Sequence, residues 1–214
     1  MGKKDSGIKE KVVVIYIEGE TEIEFYKQVV SIMRAHCGGR LSCSVETIEV
    51  SGIGQYKEKV LRIFENRIKR NHPNGEFYIA LCYDQDVFEM GQNPPVRWGD
   101  VKKAFLNCGA KQVCFVKAVH SIEDWLLCDI EGILRYLRLP AKTNLSGNNG
   151  YERLKALFKK GMKLYIKGKT SGKFVQELNV EKILMDNCSD ISPLCRLLGV
   201  DCKQQKKCQN RSCQ

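Results

Sequence analysis

Two short acidic runs stand directly behind apolar, β-branched stretches, and their spacing is that of groups able to share a divalent cation. Glu18-Gly-Glu-Thr-Glu22 follows residues 11–17, and Asp84-Gln-Asp86 follows residues 77–83. If a helix starts inside the first run, Glu18 and Glu22 lie four residues apart and approach one face. Gly19 would let the backbone turn without a Cβ penalty. Thr21 and Glu24 also read as a T-x-x-E capping box, which accounts for those two residues and leaves Glu18 over. In an extended chain Asp84 and Asp86 point to one side and Gln85 to the other. Two hard anionic oxygens so placed suit Mg²⁺ or Mn²⁺, although a turn held by Asx hydrogen bonds explains a lone D-x-D as well. A third group, Ser121-Ile-Glu123, follows another apolar stretch, and Ser121 with Asp124 also reads as a helix N-cap. Carboxylates that meet repel one another unless cations lie between them. Acidic groups behind three strands of one sheet therefore describe a two-metal phosphoryl-transfer site, with ions roughly 3.5–4 Å apart.

The elements that would position these groups follow from periodicity. Residues 11–17, 43–50, 77–83 and 112–116 are short β-rich runs, read as buried strands. Between them, residues 23–33, 56–70 and 99–108 carry apolar positions at helical spacing, and 121–139 reads as one further helix stopped by Pro140. Alternating strands and helices predict an α/β fold: a parallel four-stranded sheet with helices on both faces. Sites in such sheets gather at the carboxyl ends of the strands, where Glu18 and Asp84 stand. Residues 11–141 form the expected core. Residues 142–200 form a basic, mainly helical C-terminal part, with helices from Tyr151 and near 173–178 and 191–198. The polar stretch 201–214 reads as a flexible tail.

Charge singles out one segment. The chain has 214 residues and a net charge of +10. Nearly all the excess lies in residues 142–173, where Lys142, Arg153, Lys155, Lys159, Lys160, Lys163, Lys167, Lys169 and Lys173 face only Glu152. Concentrated positive charge attracts phosphates and steers their approach, so nucleic acid is the expected partner; a solvated helix face explains the same charge without one. Tyr151, Phe158 and Tyr165 interleave with these lysines and either pack or stack on bases. A hydrophobic content of 43% excludes wholesale disorder, and no apolar run approaches the roughly 20 residues of a membrane span. The charged start has no apolar leader. A cytoplasmic chain without a membrane partner is the expectation, and its eleven cysteines are then reduced thiols. Cys188, Cys195, Cys202, Cys208 and Cys213 contain no C-x-x-C pair, so zinc has little support. His120, just before Ser121, could touch a phosphate.

The E-G-x-x-E turn of Glu18 to Glu22 and the D-x-D of Asp84 to Asp86, in that order behind the first and third strands, resemble the Toprim fold. Ser121-Ile-Glu123, the run Ser121 to Asp129 and Tyr165-Ile-Lys167 extend the likeness to the OLD-family (overcoming lysogenisation defect) and RloB-like stand-alone Toprim nucleases, over roughly residues 11–200. This resemblance implies a divalent-metal nuclease, with DNA the favoured substrate and antiviral defence the setting. It implies that Glu18, Glu22, Asp84 and Asp86 hold one metal region and that Ser121 and Glu123 help hold a second. Lys167 would stabilise the transferring phosphate, with Lys163, Lys169 and Lys173 as rivals. Arg153, Lys159, Lys160, Lys163, Lys169 and Lys173 would grip the nucleic-acid backbone. The chain departs from full-length OLD proteins in lacking an ATPase domain: Gly168-Lys169-Thr170 follows Lys163 where a phosphate loop needs glycine. Any ATPase would be a separate chain, and a homodimer is a further arrangement the resemblance allows. The competing readings are a non-catalytic Toprim module binding nucleic acid or an ATPase partner, and an RNA-processing ribonuclease.

Overall fold

The computed structural model describes residues 9–85, 96–167 and 172–200. Strand β1 (Glu10–Ile17) leads into helix α1 (Glu20–His36), followed by β2 (Ser44–Glu49). Helix α2 begins at Lys59–Ile63, passes through a π-helical turn at Phe64–Ile68 and ends at Lys69–Asn71, before β3 (Gly75–Asp84). Helix α3 (Trp98–Asn107) connects to β4 (Gln112–Ala118). All neighbouring strands pair in parallel, in the order β2-β1-β3-β4. The expected α/β fold, a parallel four-stranded sheet with helices on both faces, is present.

Alternation along β1 assigns its residues to the two faces. Val13, Ile15 and Ile17 join α1 on one side through Phe25, Tyr26, Val29, Val30 and Met33. Val12, Val14 and Tyr16 join α2 and α3 on the other through Val60, Phe64, Ile68, Val101 and Phe105. Because both faces are covered, the strands read as continuous apolar runs rather than alternating ones. From β1 the chain moves outward to β2 and then returns to the other side of β1 to lay down β3. The sheet therefore changes direction between β1 and β3, and ligand crevices form outside the carboxyl ends of strands at such a switch.

The segment expected as one helix over 121–139 is instead three pieces. Helix α4 (Ile122–Leu126) gives way to a 3₁₀ turn at Leu127–Asp129, and α5 (Ile130–Leu137) follows. The break comes from Asp129, which is 5% exposed and caps α5 by accepting from the Gly132 N–H; it also accepts from the Asn179 N–H at 2.7 Å. Three further elements match their expected positions: α6 (Gly150–Lys160), α7 (Gly172–Gln176) and α9 (Cys188–Leu198). Helix α8 (Val180–Asp186) was not apparent from periodicity. These C-terminal helices bury Leu154, Leu157, Phe158, Phe174, Ile183 and Leu194 in the same core as α1. No helix among the described residues is long and apolar enough to cross a membrane, and their eight cysteines are free thiols.

Candidate functional site

The backbone around Glu18 is tied to the end of β2. The Glu18 carbonyl accepts from the N–H groups of Ser51 (2.9 Å) and Gly52 (3.2 Å), one residue beyond the Val50 N–H bond to Ile17. Ser51 holds a positive φ of 64°, as does His120 beyond β4. Non-glycine residues in that region store strain and cluster at functional sites. Helix α1 starts one residue past Gly19, whose φ of −140° is ordinary extended backbone, so the turn does not call on glycine's freedom. The expected Thr21–Glu24 capping box is absent. Gly19 is the N-cap, Thr21 is buried in the first turn, and the Glu24 carboxylate instead accepts from the Gln176 amide on α7 at 3.0 Å. That earlier start places Glu22 in the first turn, 7% exposed and facing inward.

Asp84 is the last residue of β3, paired with Ala118 and 4% exposed. Its Oδ1 accepts from the Ile122 N–H at the start of α4 (2.9 Å), and its Oδ2 lies 3.1 Å from the Lys167 ammonium. On the same short helix Glu123 is fully buried. Its Oε1 accepts from the Tyr165 hydroxyl at 2.9 Å, and its Oε2 is 4.0 Å from Lys167 Nζ. Glu18, Glu22 and Asp84 line one narrow cleft with Ile17, Tyr26 and Ile122. Ser121 is buried at the α4 N-cap position without capping through its side chain; its hydroxyl donates to the Asp124 carboxylate at 2.8 Å.

The electrostatics follow from this crowding. Burial, followed by the charge of Asp84 and then those of Glu123 and Glu18, pushes the Glu22 carboxyl up to about 8. Burial, then the adjoining Glu123 carboxylate, also holds the Tyr165 phenol far above its ordinary value, so it remains a hydrogen-bond donor. Burial raises Tyr26 as well. Among the described residues, Lys167, 37% exposed, is the cation that meets Asp84 and Glu123.

Whether the cluster suits a divalent ion can be judged from its donors. Carboxyl oxygens from Glu18, Glu22, Asp84 and Glu123 are the ligand type of Mg²⁺ and Mn²⁺, Glu22 giving up its proton to bind. Glu22 Oε2 is buried with no hydrogen-bond partner, an arrangement that costs free energy unless something bonds it. The donor chemistry fits. Among the described residues, however, no three His, Cys, Asp or Glu side chains close around one point, so binding would require side chains to reorient. Asp86 lies outside the described residues, as does Lys169.

The lysine rivals separate cleanly. Lys163 sits 3.6 Å from the centre of the Tyr136 ring, and Lys173 is exposed on α7; among the described lysines Lys167 is the one at the carboxylates. On α6, Arg153 donates to the Gly147 carbonyl and Lys160 to that of Asn144, while Lys159 is exposed. Phe158 and Tyr165 are buried against each other, with ring centres 5.1 Å apart, so they pack rather than stack on bases. Sequence reasoning missed Tyr165 as the partner of Glu123 and Tyr26 as a cleft wall. Tyr165 carried a signal in its place two residues before Lys167, whereas Tyr26 looked like any apolar helix position. No protein-family model, curated protein or solved structure matches this chain.

Proposed function

We propose that the chain is a divalent-metal-dependent phosphodiesterase acting on nucleic acid, with DNA the favoured substrate, in keeping with the resemblance to stand-alone Toprim nucleases. The observation that carries this reading is the convergence of the half-buried Glu18 with the buried Glu22, Asp84 and Glu123 at the β1–β3 switch, where the Lys167 ammonium meets Asp84 and Glu123. A fold does not gather carboxylates there for stability, because each buried charge raises the cost of the next.

An ion held by these carboxylates would supply Lewis acidity to a phosphodiester and to the attacking water. The chain's own contribution is positional. The Ile122 N–H fixes one Asp84 oxygen and the Tyr165 hydroxyl fixes one Glu123 oxygen, so the second oxygen of each carboxylate is the one that lies near the Lys167 ammonium. Lys167, exposed on its outer side, can turn its ammonium onto a phosphate oxygen as charge builds there. The basic residues of α6 (Arg153, Lys159 and Lys160) would hold the backbone in a salt-dependent, largely sequence-blind way.

The test is cleavage of supercoiled plasmid, linear DNA and single-stranded RNA with Mg²⁺, Mn²⁺ or EDTA, by wild type and Asp84→Asn. Asparagine keeps the acceptor for the Ile122 N–H, so the variant folds. Metal-dependent cutting should fall by about 100-fold or more, since even outer-shell changes at metal sites cost about 10–100-fold. Undiminished cutting by the variant would remove Asp84 from the site. A second reading has its own support: Lys167 already lies 3.1 Å from Asp84, the geometry of a permanent ion pair in a non-catalytic nucleic-acid- or ATPase-partner-binding module. Nucleic-acid binding that ignores metal and Asp84→Asn, without cutting, is its signature. Cutting confined to RNA would mark an RNA-processing ribonuclease.

A further inference from the structure

The segment that delivers Lys167 to the site leaves its aliphatic side chains in water. From 163 to 167 the odd-numbered residues touch the protein: Lys163, itself exposed, lies over the Tyr136 ring, Tyr165 is buried onto Glu123, and Lys167, partly in water, reaches Asp84. The even-numbered residues are Met162, Leu164 and Ile166, which are 95%, 73% and 45% exposed. Isolated exposed aliphatics are common and need no explanation. Here three fall within five residues, and two of them are the most exposed large apolar side chains among the described residues. An ordinary surface segment would turn its aliphatics inward, whereas here Tyr165 takes the inside and the three aliphatics stand in water.

Met162 adds a second anomaly. It occupies the left-handed position after α6, with φ of 56°, and its N–H and that of Lys163 close the helix on the Lys159 and Phe158 carbonyls. Glycine is the residue usually found there, because it adopts this conformation without strain. A methionine held there with its side chain almost wholly in water gains no packing in return.

The occupant can be argued from the surroundings. The stripe lies between the basic end of α6, with Lys159 and Lys160, and Lys167 at the carboxylates. A partner covering it must present negative charge at its rim and flat apolar surface at its centre. Phosphates flanking unstacked bases do both, and Met, Leu and Ile are side chains that proteins insert between base steps. We infer that Met162, Leu164 and Ile166 form a wedge that separates stacked bases of the bound nucleic acid beside the reacting phosphate. The inference rests on the nuclease reading and adds a substrate preference: duplex that is already mismatched or gapped binds best, because its unstacking cost is lower.

The experiment uses the full chain in EDTA, so that no cutting intervenes. The probe is duplex DNA carrying 2-aminopurine, whose fluorescence rises on unstacking, in fully paired and mismatched forms. Wild type should raise the fluorescence and prefer the mismatched duplex by about tenfold. Met162→Gly and Leu164→Ser should abolish the rise and the preference while retaining salt-sensitive binding. Met162→Gly should also melt at or above the wild-type temperature, since it relieves the backbone strain; misfolding is thereby excluded as the cause. Binding by wild type without a fluorescence rise, with metal-dependent cutting intact, would overturn the wedge and leave the nuclease reading standing. Wild type that binds no nucleic acid and forms dimers lost in Leu164→Ser would overturn both, and assign the stripe to a second copy of the chain.

Discussion

Replacing Glu22 by glutamine removes one charge from the buried cluster and leaves its shape. The Glu22 carboxyl is 7% exposed and titrates near 8, first because it is buried and then because Asp84, Glu123 and Glu18 surround it. Its ordinary value is 4.5. Between those two values the folded chain keeps a proton that the unfolded chain has released, so stability falls as pH rises from about 4.5 to about 8 and stays low above it. At about 1.4 kcal/mol per pH unit the loss approaches 5 kcal/mol. For a chain this size that is about 10–20 °C in melting temperature. Glu22→Gln has no such proton to lose. Thermal melts of both proteins without divalent ions, at several pH values from about 4.5 to 9, isolate the cluster's effect, because groups away from Glu22, Asp84, Glu123 and Glu18 titrate equally in the two. The variant should match wild type at the acid end and become progressively more stable toward pH 8. Added Mg²⁺ or Mn²⁺ should raise the wild-type melting temperature most at alkaline pH, where the carboxylate is ionised, and should raise that of the variant much less. A flat difference between the two melting curves across this range would refute the crowded-carboxylate account of the site.

Other outcomes follow from the same geometry. Lys159→Glu with Lys160→Glu should weaken nucleic-acid binding in a filter or anisotropy titration and lower the log–log salt slope by roughly two, one per lost phosphate contact. His72 bridges Glu10 and Glu46 at 3.1 and 3.2 Å at the opposite end of the sheet. Burial acts to lower its pKa, but the hydrogen bonds to the two glutamates outweigh it, and the net direction is upward. The bridge is thus fully stabilising below pH 6.5 and is lost as pH rises through the folded value, so His72→Gln should lower the melting temperature more at pH 5.5 than at pH 8.5. Asp129→Ala orphans the buried Gly132 N–H and the part-buried Asn179 N–H and should cost about 2–3 kcal/mol in a denaturant titration.

Much of this protein is legible in local sequence. The β-branched runs could be covered on both faces only by flanking amphipathic helices, and the order of the elements dictated a parallel sheet. Glu18 and Asp84 were placed because each directly follows a strand, and position relative to a strand end is a local property. The wedge residues illustrate the opposite case. Met162, Leu164 and Ile166 look like half of a buried strand, and only the tertiary structure shows that they stand in water while Tyr165 between them is buried. Local pattern also failed where a distant backbone group competed: Asp129 ends a helix that periodicity would continue, because the Asn179 N–H, fifty residues on, completes its hydrogen bonding.

The amino-acid order by itself determined the strands, the helical faces, the acidic residue types and the position of the basic segment, since each is set by neighbours within a few residues. Tertiary structure decided that Lys167 meets the acids, that Tyr165 holds Glu123 across 42 positions, and that Glu22 is buried deeply enough to keep its proton near neutral pH. Those outcomes depend on which surfaces exclude water together. Desolvation and Coulomb energy are properties of the assembled core, and no local window of sequence contains them.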